Sequence, residues 1–135
     1  MKIVVGGYLL VPVIGRKQLD VLANPSLEEL SSRLEIFSGN YPGVLVAGME
    51  PEPDFGPVRL VMYAENGRYL LMLEDFNEEG ECLIRTLSNS SKTGLVALLG
   101  EPYPAAAITS DFSLVCNIFN IFLKQGDVPW DVLSE

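Results

Sequence analysis

The chain has no histidine, and its 135 residues hold only two cysteines. Without histidine, the commonest general base and the usual metal ligand are missing. Ser–His and Cys–His nucleophile pairs are excluded with it. Two cysteines far apart in the chain, Cys82 and Cys116, cannot build a Cys-rich zinc site. A phosphate-cradling loop is also missing: Gly6-Gly7 runs on into β-formers rather than a helix, and no Gly-Lys-Ser/Thr occurs. No apolar run approaches the ~20 residues of a membrane span. Basic residues are scarce, nine against eighteen acids, for a net charge of −9 and a pI near 4.4. That balance argues against binding a nucleic-acid backbone or an anionic membrane, and favours a basic partner or simple solubility.

What is present suits one soluble domain spanning residues 1–135. Apolar residues make up 48 % and charged residues 20 %, ordinary values for a chain that needs no disulfide or metal staple. Both cysteines lie in apolar runs and read as buried free thiols. Low cysteine use suits a reducing cytoplasm. The start, Lys2 then Ile3 to Ile14, faintly resembles a signal peptide. Gly6, Gly7 and Pro12 interrupt it and no A-x-A-like cleavage site follows, so it reads as an opening strand.

The pattern predicts a strand over Ile3 to Val11, a turn at Gly15-Arg16-Lys17, and a short return over Gln18 to Leu22. Ser26 and Glu29 have capping-box spacing, and Leu27, Leu30, Leu34 and Phe37 define the apolar face of the helix they open. That helix ends at Ser38-Gly39-Asn40. Strands follow at Val44 to Met49, Val58 to Ala64 and Arg68 to Leu73, the last two joined by the hairpin turn Asn66-Gly67. Cys82 to Leu87 and Leu95 to Leu99 complete a meander, and Pro102 and Pro104 break the chain. Ser110-Asp111 caps a second helix from Phe112 to Gln125, closed by Gly126. Nine of its twelve residues from 112 to 123 are apolar, with Ser113, Asn117, Asn120 and Lys124 as one polar stripe, so it should be buried on most sides. Val128, Trp130 and Val132 then latch the tail. The expected fold is α+β: an antiparallel sheet of about six strands with two helices packed on one face.

The charge is localised. Residues 50–81 hold nine acids and two bases, carrying −7 of the −9. Within them Glu50, Glu52 and Asp54 lie in a proline-stiffened loop, and Glu74, Asp75, Glu78, Glu79 and Glu81 surround Phe76 in a second connection. These nine residues, eight acids and one aromatic, are the candidate partner-binding set. The patch reads equally as a solvated face and as a docking site for a basic protein, with ion or small-molecule binding a third alternative. Asp75 to Gly80 imitates half of an EF-hand loop, but its twelfth position is Thr86 rather than glutamate. Paired carboxylates could in principle serve a hydrolase. Exposed loops offer no apolar pocket to raise a pKa, so no catalytic residue, metal or cofactor is expected.

The C-terminal stretch Ile108-Thr109-Ser110-Asp111-Phe112, through Val115, Phe119, Phe122-Leu123, Gly126 and Pro129-Trp130, resembles the ending of small bacterial immunity proteins encoded beside polymorphic toxins. Gly6-Gly7-Tyr8, Asn24-Pro25-Ser26, Gly67, Tyr69 and Gly126-Asp127-Val128 are similar to an uncharacterised bacterial family. Trp130 follows Pro129 directly, a departure from many immunity proteins, and the shared points are structural, so no site residue carries over. The resemblance implies a non-enzymatic inhibitor that plugs a basic toxin domain. The alternatives are a homo-oligomeric interaction subunit, joined through helix 112–124 or a sheet edge, and a carboxylate-dependent hydrolase.

Overall fold

A computed structural model describes residues 2–39 and 41–135. Asn40, one of the residues expected to end the first helix, lies outside the described set. Strand β1 (Lys2–Val11) is the spine of the sheet. Its neighbours are β2 (Gly15–Gln18), β3 (Leu22–Ala23) and β4 (Gly43–Glu50), all antiparallel to it. β4 continues the sheet into β5 (Gly56–Glu65) and β6 (Arg68–Phe76), and β7 (Cys82–Arg85) adds to the far end of β6. Asn66 and Gly67 turn β5 into β6 with φ of 52° and 71°, the two positive values a type I′ turn requires.

Helix α1 (Leu27–Ile36) opens on the predicted capping box: the Ser26 hydroxyl accepts from the Glu29 N–H, and the Glu29 carboxylate accepts from the Ser26 N–H. Leu30, Leu34 and Phe37 are buried, whereas Leu27 at the first turn stays exposed. A second helix, α2 (Phe112–Gln125), is capped by Asp111 and ends on Gly126 in the left-handed region. Val115, Ile118, Phe119 and Phe122 are its buried face, each contributing about 1.5–3 kcal/mol of apolar burial. Both helices pack on the face of the sheet formed by Ile3, Val5, Leu45, Leu60, Leu71 and Leu73. The α+β expectation therefore holds.

The structure corrects several details. The first turn falls at residues 12–14, and the return strand starts at Gly15 rather than Gln18. Pro12 supplies the fixed φ of a turn corner, so the chain reverses three residues early. The sheet has eight strands, because β3 and β10 (Ile108–Thr109) add two-residue edges. Pro102 and Pro104 do not break the chain. They sit in β9 (Glu101–Pro104), which pairs with β8 (Leu95–Leu98) as a separate two-stranded ribbon. A ribbon this narrow has free outer edges, where a missing N–H costs nothing. The ribbon leaves the meander and covers part of the sheet's second face, burying Leu98 against Leu70 and Ile108. Cys82 is exposed and Cys116 only half-buried, so the buried-thiol expectation fails for Cys82. Desolvation by the adjoining strands, then the Glu74 charge, pushes the Cys82 thiol up, away from a reactive thiolate. Val128 latches the tail as expected, joined by Leu133, both fully buried. Trp130 does not enter the core and is 51 % exposed.

Candidate acidic docking site

The two acidic segments meet at one end of the sheet. β5 starts beside the end of β6, with Gly56 opposite Phe76 and Pro57 opposite Asp75. Residues 51–55, which lead into β5, and residues 77–81, which lead out of β6, are therefore neighbouring loops. The Asn66-Gly67 turn lies at the opposite end of the same two strands. Glu65 goes with it, accepting the Leu99 N–H at 3.1 Å, and takes no part in the acidic end.

The second loop is built on Asn77. Its side-chain oxygen accepts the N–H groups of Glu79 and Glu81 at 3.0 and 2.9 Å. Its backbone N–H donates to the Glu81 carbonyl, and Gly80 takes the positive φ that closes the turn. This geometry disposes of the EF-hand imitation. The Asn77 oxygen is committed to the backbone, and Asp75 is committed to an arginine. Among the described residues no group of three or more acids, cysteines or histidines is arranged to hold a metal ion.

The candidate acids fall into two sets. Glu52, Glu74 and Asp75 are in ion pairs, and Glu74, Asp75 and Phe76 belong to β6 rather than to a loop. Their strand runs three residues further than the sequence suggested because β7 pairs along it. Arg59 donates through Nε to Glu74 and through a terminal nitrogen to Glu52, both at 2.8 Å. The Glu74 bond, opposed by partial burial and helped by Glu52, holds the Arg59 guanidinium proton more tightly than usual. Arg85 lies on the helix-covered face and is fully buried. One of its terminal nitrogens bonds Asp75 and Asp127 at 3.1 Å each. Its Nε donates to the Leu133 carbonyl at 2.9 Å, and its remaining nitrogen donates to the Val128 carbonyl. The Trp130 ring stacks over the guanidinium at 3.8 Å.

The second set is Glu50, Asp54, Glu78, Glu79 and Glu81. All five are exposed, and none forms an ion pair among the described residues. Phe76, the expected aromatic anchor, is half-buried. Phe55 replaces it: it sits beside Asp54 in the first acidic loop and is 56 % exposed. Phe55 is not among the nine sequence-derived candidates, although an aromatic in a proline-rich polar loop with no apolar neighbour at strand spacing is a legible sign of exposure.

Residues 2–132 match a family described as a family of unknown function (DUF6911), and the chain belongs to it. No curated protein matches the chain. The fold is similar to the crystal structure of a hypothetical protein from Neisseria gonorrhoeae, with 28 % identity and a TM-score of 0.83 over 95 % of this chain and 90 % of that one. Among the described residues no helix is long and apolar enough to cross a membrane.

Proposed function

We propose that this member of the family is a non-enzymatic binding protein of immunity type, acting in the cytoplasm to neutralise a basic toxin domain through its acidic end. One observation carries the reading. The loop before β5 and the loop after β6 are neighbours, which brings Asp54 and the exposed Phe55 to the same end of the sheet as Glu78, Glu79 and Glu81, with Glu50 at the end of β4, and none of these five carboxylates forms an ion pair among the described residues. A charged rim around an aromatic anchor is the composition of a protein-recognition hot spot. Like charges held together by fixed turns repel one another, and a basic partner relieves that repulsion. The field of such a patch speeds association with a cationic cleft and weakens as salt rises. The carboxylates are either solvated or held by arginine, an arrangement that suits docking better than proton transfer.

The experiment pairs this chain with a toxin domain of basic surface encoded beside its gene. Co-expression should restore growth of cells making that domain. Changing Glu50, Asp54, Glu78 and Glu79 together to Ser should slow association roughly tenfold or more at low salt, with little difference in 0.5 M salt. Phe55→Ala should mainly quicken dissociation. Unimpaired growth rescue by the variant with all five of these positions changed would remove the acidic end from the interface.

A further inference from the structure

Most of the sheet's edge is blunted. Edge strand β2 carries Arg16 and Lys17, charges that discourage a further strand. Beside β10 the chain folds back on itself: the Asn89 N–H donates to the Ala106 carbonyl at 2.9 Å, and the Lys92 ammonium to the Ile108 carbonyl at 3.0 Å. Strand β7 differs. Its inner side pairs with β6. Its outer side is occupied at one end, where Thr86 and Ser134 exchange backbone bonds of 2.8 and 2.9 Å.

Two observations fix which backbone groups of β7 point outward. Hydrogen-bonded and non-bonded pairs alternate along an antiparallel ladder. At one end the Asn77 N–H donates to the Glu81 carbonyl, so that pair is a bonded one. At the other end the N–H and C=O of Thr86 both serve Ser134, away from β6. From either end the alternation turns Leu83 and Arg85 inward to β6, and turns the N–H and C=O groups of Cys82 and Ile84 outward. Those four groups have no partner among the described residues. Cys82 is exposed and Ile84 is 43 % exposed, so the lane beside them is open to solvent. The charge around it is of one sign. Glu78, Glu79 and Glu81 lie at its Cys82 end and Glu135 beside Ser134, while the nearby Arg59 and Arg85 are each held by two carboxylates.

We infer that the outer side of β7 accepts an extended basic segment of a partner protein as an added strand, antiparallel to β7 and in line with the tail at Ser134. The inference rests on the acidic-end reading for the charge of its occupant, and adds how that occupant is gripped: by the backbone groups of Cys82 and Ile84. A second copy of β7 does not fit the lane. Pairing Cys82 of one copy with Ile84 of another puts Thr86 of the second opposite Gly80 of the first. The Ser134 bonded to that Thr86 would then overlap the turn at Gly80. In an antiparallel pair, directly opposite side chains share a face. The incoming strand therefore sets apolar side chains beside Ile84 and Cys82, and basic ones in the alternate phase, which passes Glu81.

The test titrates a capped peptide of about six alternating valines and lysines, up to about 1 mM, into the isotope-labelled full chain at low salt. In the free chain the Cys82 and Ile84 amides should exchange with solvent much faster than those of Leu83 and Arg85. The peptide should shift the Cys82 and Ile84 amide signals and slow their exchange. The same peptide N-methylated at its valine amides should bind at least tenfold more weakly, because those N–H groups face β7. Ile84→Pro removes an outward N–H that the fold does not use, so circular dichroism should show a folded chain that no longer binds, whereas Ile84→Val should bind as wild type does. Shifts confined to Asp54, Phe55 and residues 78–81 overturn the added strand and leave the acidic end standing as a docking site. Undiminished binding of the N-methylated peptide, or slow exchange of Cys82 and Ile84 in the free chain, also overturns it. Shifts at Cys82 and Ile84 that persist at full strength when Glu50, Asp54, Glu78 and Glu79 are changed together to Ser uphold the added strand and remove the acidic end instead.

Discussion

Glu74 and Asp75 are adjacent on one strand, and each is bound by an arginine that holds a second carboxylate too. Strand periodicity sends them to opposite faces. Glu74 goes to the open face, where Arg59 is one-third exposed and its second partner, Glu52, is 58 % exposed. Asp75 goes to the helix-covered face, where Arg85 is fully buried and spends four of its five N–H donors on Asp75, Asp127 and two tail carbonyls. The chemistry is the same and the surroundings differ. Water screens the first cluster and competes for its hydrogen bonds. In the second, Arg85 itself has no water to fall back on, although Asp127 is half exposed, so each partner of the guanidinium matters. Arg59 thus decorates a surface, whereas Arg85 fastens residues 127–134 to the body of the domain.

Arg85→Ala should break this contrast most strongly. It leaves the Val128 and Leu133 carbonyls and the Asp75 carboxylate without their donor and opens a hole beneath Trp130. Loss of one member of a buried ion cluster costs about 3–5 kcal/mol. Denaturant unfolding should show a loss of that size. Amide exchange should speed first at Thr86 and Ser134, whose backbones bond each other at 2.8 and 2.9 Å. Arg85→Lys should recover little, since an ammonium cannot fork between carbonyls and carboxylates. A loss below about 1 kcal/mol for Arg85→Ala would put the two arginines in one class.

Trp130→Ala comes next. The ring covers a desolvated guanidinium, so cation–π attraction and shielding together predict a loss of about 1–2 kcal/mol. It should fall to near zero in an Arg85→Ala background, where the ring has nothing to cover. Equal losses in both backgrounds would mean that Trp130 contributes only its own packing.

Much of this was legible in the sequence where local chemistry decides. The Ser26–Glu29 box, the Asn66-Gly67 turn, the Asp111 cap and the apolar faces of both helices are properties of neighbours in the chain. The misses share a different cause. Trp130 looked like a latch because its partner, Arg85, is 45 positions away and only the fold reveals it. Yet Arg85 had a signal, since it shares the strand phase of Leu83 and Leu87, and a charge in an apolar phase asks for a buried partner. The acidic segment was found as a run, but a run cannot show that Glu74 and Asp75 part to opposite faces. Nor can it show that the loops holding Asp54 and Glu78 meet, because that contact depends on the register of β5 against β6. The β8–β9 ribbon was missed because Pro102 and Pro104 forbid a central strand but not a free edge.

Tyr69 extends the buried side of the comparison to a neutral group. It is 2 % exposed and donates a long bond of 3.4 Å to the Phe37 carbonyl. Burial, and secondarily Cys116, pushes its phenol above the ordinary value of 10.0. In the folded state the phenol resists ionising, while in the unfolded chain it ionises near its ordinary value. Its contribution is therefore complete below about pH 10 and is lost as pH rises through the folded pKa. Tyr69→Phe should cost under about 1 kcal/mol at pH 7 and flatten the decline in stability above pH 10. An unchanged alkaline decline would mean that other tyrosines set it.

The smallest effect belongs to Arg59 and Glu52, and it is the sharpest check on the contrast. Their short bond alone would suggest strength comparable to that of Arg85. Exposure argues otherwise: pairs of this kind couple by about 0.2–1 kcal/mol at most. A double-mutant cycle with Arg59→Ala and Glu52→Ala should give a coupling below about 0.5 kcal/mol at low salt. In 1 M salt, where screening acts over about 3 Å, it should vanish. Arg85 with Asp75, taken through the same cycle, should keep most of its coupling in 1 M salt, because ions do not reach a buried pair. Equal salt sensitivity in the two cycles would show that the buried cluster opens to water in solution. The fastening of the tail would then rest on Val128 and Leu133 alone.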